Sequence, residues 1–259
     1  MLWHDLTFPE IQECAQKGFV VVVPFGTTEQ HGRHLTTDTD THLVTEVAKR
    51  VSEVTEGILV TPTVWVGLSQ MHRGLPGNLM VSLETFTAFV TDICASIREQ
   101  GFLKAVLLNG HGGNQGILQA LALALSDKLG MRVLTLSYWN VLADEISSIR
   151  KSPTGGMRHA CEFETSLELF LRPDRVRKDA IADYRPNSPI LSFIRRDMFS
   201  PGKAYLPEFY SQTPGGVLGE PSMASADTGE KLLSLVVEKL REMILEFRAL
   251  DWKRQAGAS

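Results

Sequence analysis

Short β-branched runs alternate with amphipathic helical stretches along this chain, and no other feature restricts its fold as much. Phe19 to Val23 is a continuous apolar run closed by Pro24 and Gly26, the pattern of a strand buried on both faces. After a loop, Leu43, Val44, Val47, Ala48 and Val51 recur at helical spacing between about Thr41 and Val54. Ile58 to Val60, Ala105 to Leu108 and Val133 to Leu136 read as further strands. Glu84 to Glu99 reads as a helix with Phe86, Phe89, Val90, Ile93, Cys94 and Ile97 on one stripe, and Ile117 to Leu129 as another. Strands separated by helices pair in parallel and need cover on both faces. The expected fold is therefore α/β, a three-layer sandwich with a mostly parallel sheet covered by helices. Gly229 to Leu245 adds a last helix to the core. Asp183 to Pro221, with six of the 12 prolines, is expected to be irregular and to loop over a face of the sheet.

Composition narrows the function classes. The 259 residues carry 26 basic and 30 acidic side chains, a net charge of −4. That gives no electrostatic footprint for a nucleic acid or an anionic membrane, so neither is an expected partner. A chain of this length buries a large core as one domain, 1–259. Three cysteines, Cys14, Cys94 and Cys161, form no CxxC pair, and the start of the sequence lacks a basic segment with an apolar run. Together these suit a reducing cytoplasm.

Chemistry-bearing residues concentrate after strand ends, where open α/β sheets bind ligands. Glu29, His31, His34, Asp38 and Asp40 follow the first strand, and His111 follows the third within Asn109-Gly110-His111-Gly112-Gly113-Asn114. Glu29 and His31 are two apart and point the same way in an extended loop, while Asp40 arrives at the start of the next helix. Carboxylates mixed with imidazoles suit a divalent ion such as zinc or manganese. A third cluster, His159 to Ser166, adds His159, Glu162 and Glu164 before a helical stretch.

Each residue alone has a plainer reading. Asp38 or Thr39 is expected to cap the helix, His34 and His42 to be solvated or packed, and Glu162 or Glu164 to face the helix dipole. Three such clusters at sheet ends together favour a site. The competing site is an anion cradle in the Gly110 to Gly116 loop, which opens a helix as a phosphate or nucleotide loop would. It lacks the last glycine of GxGxxG, replaced by Gln115, and carries no GK[ST].

Pro24-Phe25-Gly26-Thr27-Thr28-Glu29-Gln30-His31-Gly32 through Asp40, the Asn109 to Asn114 segment, Leu75-Pro76-Gly77-Asn78 after Ser69 and His72, the His159 to Ser166 segment, and Gly216 to Pro221 resemble the creatininase (creatinine amidohydrolase) family in one order. The resemblance implies a parallel α/β fold, oligomers that are often hexamers, and a dinuclear centre of zinc, manganese or iron that hydrolyses carbon–nitrogen bonds. It implies that Glu29 and His31 each bind one ion, that Asp40 bridges both, and that His111 completes the first set. Creatininase has a glutamate where this chain has Gly113, and family members with this glycine pattern carry one in the segment matching His159 to Ser166, so the resemblance implies Glu164 as the fifth ligand, with Glu162 in reserve. His159 is implied as the acid-base group, with Glu162 grouped beside it, and holding a ligand carboxylate is the rival role for His159. Ser69, His72, Gly112 and Gly113 are implied to meet the substrate, the two glycines through oxyanion-donating amides. The implied substrate is a small amide: creatinine-like, a formamide or a lactam. A peptide end and a cyclic ketone stay open.

Overall fold

In this computed structural model, residues 1–186, 191, 193–194, 196–200, 204, 206 and 213–251 are described. In chain order the elements are α1 (Phe8–Gln16), β1 (Val20–Phe25), α2 (Thr39–Val54), β2 (Ile58–Val60), α3 (Leu83–Glu99), β3 (Lys104–Asn109), α4 (Gln115–Leu129), β4 (Arg132–Ser137), α5 (Ile146–Ile149), β5 (Met157–His159), α6 (Glu162–Leu171), β6 (Leu218–Gly219) and α7 (Ala226–Ala249).

β2, β1, β3 and β4 lie side by side in that order, and every pair is parallel. Alternation along β1 then divides the core. Val20 and Val22 join Val106, Leu108 and the inner residues of α2, α6 and α7 on one face. Val21, Val23 and Phe25 join Leu107 and the inner residues of α1, α3 and α4 on the other. Every β1 residue is buried, as a strand sandwiched between helix layers must be. The three-layer α/β architecture expected from the alternation is the one observed.

Three local departures have physical causes. β1 runs on through Pro24 to Phe25. The Pro24 carbonyl accepts from Val64 on the β2 side, so the missing proline N–H falls where β2 has already ended and no ladder donor is needed. Phe89 is 45% exposed although Phe86, Val90, Cys94 and Ile97 are buried. At about 100° per residue it sits at the edge of their arc. Asp38 stands at the N-cap of α2 but makes no side-chain cap there, since its carboxylate pairs with Arg172 at 2.8 Å instead. Thr39 likewise sends its hydroxyl to the Thr36 carbonyl.

The small antiparallel pair of β5 with β6 has no counterpart in the sequence reading. It lies in the glycine-rich and proline-rich region, where Tyr184 also bridges Gly219. Within the 183–221 stretch, residues 187–190, 192, 195, 201–203, 205 and 207–212 lie outside the described residues. The three cysteines are free and buried. Among the described residues no helix is long and apolar enough to cross a membrane.

Candidate metal centre

β1 and β3 are neighbours, so the loops leaving their C-terminal ends open at one place. Glu29 and His31 come from the first loop, His111 from the second, and Asp40 from the first turn of α2. Local hydrogen bonds shape both loops. The Asn109 side chain accepts from the His111 amide at 3.1 Å and donates to the His111 carbonyl at 2.8 Å, bending the chain after β3. Asn78 accepts from the Gln30 amide at 2.9 Å while donating to the His72 and Leu75 carbonyls. That contact gives the Leu75-Pro76-Gly77-Asn78 motif a task, because it ties the segment after His72 to the Glu29–His31 loop.

Asp40 lies between two imidazoles. Its Oδ1 is 3.0 Å from His31 Nε2 and its Oδ2 is 2.8 Å from His111 Nδ1. Glu29 Oε2 stands 3.4 Å from His111 Nδ1, and Glu164 Oε1 stands 3.7 Å from His31 Nε2. Glu29, Asp40 and His111 form one group whose potential ligand atoms lie within 4.8 Å of one another; His31, Asp40 and Glu164 form a second, and Glu29, His31 and His159 a third. The remaining imidazole nitrogens have backbone partners: His31 Nδ1 lies 3.2 Å from the Glu29 carbonyl and His111 Nε2 3.0 Å from the Leu68 carbonyl. Carbonyls only accept, so each ring donates there and turns its other nitrogen to the centre.

These groups are buried: Glu29 is 1% exposed, Asp40 4% and Glu164 8%. Burial opposes ionisation of Glu29, but the imidazoles of His111 and His72 outweigh it and hold the carboxyl well below its ordinary range. Burial likewise favours neutral His31 and His111; Asp40 and Glu164 beside the first, and Glu29 and Asp40 beside the second, raise both rings well above the usual imidazole value. His159 moves the other way, well below, through burial and then the neighbouring His31 and His72. Three converging buried carboxylates with imidazole nitrogens are a donor set that divalent cations fit in both charge and ligand type.

The other sequence-designated residues fall into place around this set. Ser69 is wholly buried and donates to Glu29 Oε2 at 2.9 Å, so it holds a carboxylate and is absent from the cavity wall. His72 reaches the same carboxylate, with Nε2 3.0 Å from Oε1. Glu162 does not approach the cluster: its two oxygens accept the amides of Lys151 and Ser152 at 2.8 and 2.7 Å. That corrects its grouping beside His159, since a carboxylate engaged by two backbone donors is turned away from any substrate. His34 and His42 are outside the centre too, paired with Thr165 and Glu168.

A cavity of about 700 Å³ opens over the cluster, walled among others by Glu29, Asp40, His111, Gly113, His159 and Glu164. Gly113 admits no side chain here. A Cβ on it would lie 2.1 Å from the Leu68 carbonyl oxygen and 2.5 Å from His111 Nε2. Gly113→Ala is therefore expected to push the His111 ring off its position and weaken metal binding at least about tenfold, read by equilibrium dialysis. Unchanged affinity would show that the loop yields freely.

Gln30 also belongs to the site, although little in the sequence pattern marks it. Its side chain reaches His72, His159, Gly216 and Gly32, yet in the sequence it is one amide between two stronger candidates. Its place between Glu29 and His31 is the one hint the sequence offers.

The family profile described as creatininase, creatinine amidohydrolase, matches residues 4–244. The chain belongs to the creatininase family. Creatinine amidohydrolase of Pseudomonas putida is 32% identical over 93% of this chain and 95% of its own. A mycofactocin precursor peptide peptidase of Mycolicibacterium smegmatis is 31% identical over 87% and 84%, and a 3-dehydro-scyllo-inosose hydrolase of Thermotoga maritima 29% identical over 85% and 66%. Solved creatininase structures described as manganese and Zn-Zn types each superpose with a TM-score of 0.80 at 30% identity, over 96% of this chain and 99% and 98% of theirs. As a creatininase-family protein the chain is a metal-dependent amidohydrolase, a hydrolase of carbon–nitrogen bonds.

Proposed function

We propose that this centre holds two divalent ions, zinc, manganese or iron, and hydrolyses the C–N bond of a small cyclic or non-peptide amide. One observation carries the reading: Asp40 offers one oxygen to each of two donor groups that share it, Glu29–Asp40–His111 and His31–Asp40–Glu164. Bound there, two ions would lower the pKa of water from 15.7 towards about 7 and polarise the carbonyl under attack. Everything else is work for the chain. Glu29, Asp40 and Glu164 supply three negative charges against the four positive charges of the pair. Gly112 and Gly113 line the cavity and place backbone amides where an oxyanion develops. His159, 5% exposed and on the cavity wall, returns a proton to the leaving nitrogen.

The test is a screen of metal-loaded protein against creatinine, formamides and lactams. Hydrolysis of none of them by protein holding two ions per chain would overturn the substrate class. A peptide end is the second reading, because one relative is named as a peptide peptidase. Peptides with free and amidated C-termini belong in the screen for that reason. The phosphate-loop alternative is disfavoured, since Glu29, Asp40 and Glu164 wall the cavity beside the Gly112 and Gly113 amides and repel an anion. A cytoplasmic homo-oligomer, a hexamer by family resemblance, completes the reading. Exposed Trp65, whose carbonyl accepts from the Thr28 hydroxyl, and exposed Leu79, whose amide donates to the Thr28 carbonyl, supply apolar surface for a second copy.

His159→Asn separates catalysis from scaffolding. A proton-transferring His159 predicts full metal content with kcat lower by about 10²–10⁴-fold. Loss of about 10–100-fold in metal affinity, with turnover restored by excess metal, would instead make it a support for Glu29. Titrating metal into the variant while following turnover decides.

A further inference from the structure

We propose that Gln30 fixes the tautomers of two imidazoles, His72 through its carboxamide and His159 through its backbone carbonyl, so that His72 turns its Nε2 proton toward Glu29 while His159 turns an unprotonated nitrogen toward the centre. The geometry stands by itself, and its consequence for metal binding rests on the function proposed above.

Gln30 is 7% exposed, so its protons go to protein atoms. The Gly32 backbone amide can only donate, which makes its partner at 2.9 Å the carboxamide oxygen and leaves Nε2 as the donor end. Nε2 has two hydrogens and three close neighbours: His72 Nδ1 at 2.9 Å, His159 Nε2 at 2.9 Å and the Gly216 carbonyl at 3.0 Å. A further contact resolves the choice. His159 Nε2 also lies 2.9 Å from the Gln30 backbone carbonyl, which can only accept. A proton on His159 Nε2 satisfies that carbonyl and frees both amide hydrogens for Gly216 and His72. The opposite tautomer sets a nitrogen lone pair against the carbonyl oxygen and leaves either Gly216 or His72 without its amide hydrogen.

Two consequences follow from this proton arrangement. With Nδ1 accepting from Gln30, His72 carries its proton on Nε2, 3.0 Å from Glu29 Oε1. Glu29 then has its Oε2 held by the Ser69 hydroxyl while its Oε1 faces the His72 Nε2 proton, and it is oriented before any ion arrives. His159 has its bare Nδ1 3.7 Å from Glu29 Oε1, with its ring 4.4 Å from that of His31. Gln30 is thus a positioning residue for both rings. Gly216 confines the amide, since a Cβ there would fall 2.0 Å from Gln30 Oε1.

The test is a long-range ¹H–¹⁵N correlation spectrum of ¹⁵N-histidine-labelled protein, metal-free and zinc-loaded, with His72→Asn and His159→Asn assigning the peaks. Both rings are expected to be neutral and protonated on Nε2. A proton on Nδ1 of either ring in the wild type overturns the proposal. In Gln30→Glu, which offers no hydrogen to His72, the His72 proton is expected to move to Nδ1 and zinc affinity to fall about 10–100-fold. An unchanged His72 signature in that variant also overturns it. The spectra need no substrate, and a wild type that binds no metal while showing both Nε2 tautomers would defeat the metal-centre function and leave this assignment standing.

Discussion

Asp40→Ala is expected to bring the metal content from two ions per chain to nearly none and to abolish turnover. The reason is geometric. Asp40 Oδ1 faces His31 and Oδ2 faces His111, so a single truncation removes a donor from both groups. What is left is Glu29 with His111, and His31 with Glu164, two donors apiece where zinc usually takes three or four protein ligands. Elemental analysis of the wild type and variant, purified in parallel, gives the stoichiometry. Thermal unfolding with and without a chelator gives an independent reading. Ions that bind only the folded state at 100 times their Kd stabilise it by about 2.7 kcal/mol, so chelation should lower the wild-type Tm and leave that of the variant unmoved. One ion retained by Asp40→Ala would show that the two groups do not share this carboxylate.

The second large effect separates two carboxylates two residues apart. Glu164→Gln is expected to release one of the two ions and to lower turnover steeply, because it removes a charged donor from the His31–Asp40–Glu164 group and leaves only two negative charges in the centre. Glu162→Gln is expected to keep both ions and lose stability instead. Glu162 accepts the amides of Lys151 and Ser152 with separate oxygens, and a carboxamide offers only one. One backbone N–H would then face an NH₂ group, a cost of about 1–3 kcal/mol visible as a lower Tm. The reverse pattern, metal lost with Glu162 and retained with Glu164, would move the ligand.

That pair also shows where sequence reading ends. Residues two apart on a helix point about 200° away from each other, so only one of Glu162 and Glu164 can face the centre. Which one does is set by the rotation of α6, and that rotation follows from Phe163 and Leu167 packing into the core shared with α7. No local pattern carries this information. Gln30, and the tasks of Ser69 and His72, were obscured in a similar way: each owes its place to a partner 40 or more positions distant, and polar side chains have no periodicity to reveal such pairs. β5 and β6 escaped because strands of two or three residues are too short for alternation to register.

The residue pattern alone dictates the layer architecture, since β-branched runs alternating with amphipathic helices leave a parallel sheet between helix layers as the arrangement that buries both faces. It also determined that Glu29, His31, Asp40 and His111 gather at one end of that sheet, because the loops leaving adjacent parallel strands emerge on the same side. Packing of the whole chain turns Glu164 inward, leaves Glu162 clamping a loop, and sets Ser69 and His72 against Glu29. It alone decided that Gln30 lies between two imidazoles. These outcomes depend on helix rotation and on hydrogen bonds between distant segments, which form only when the whole chain has packed.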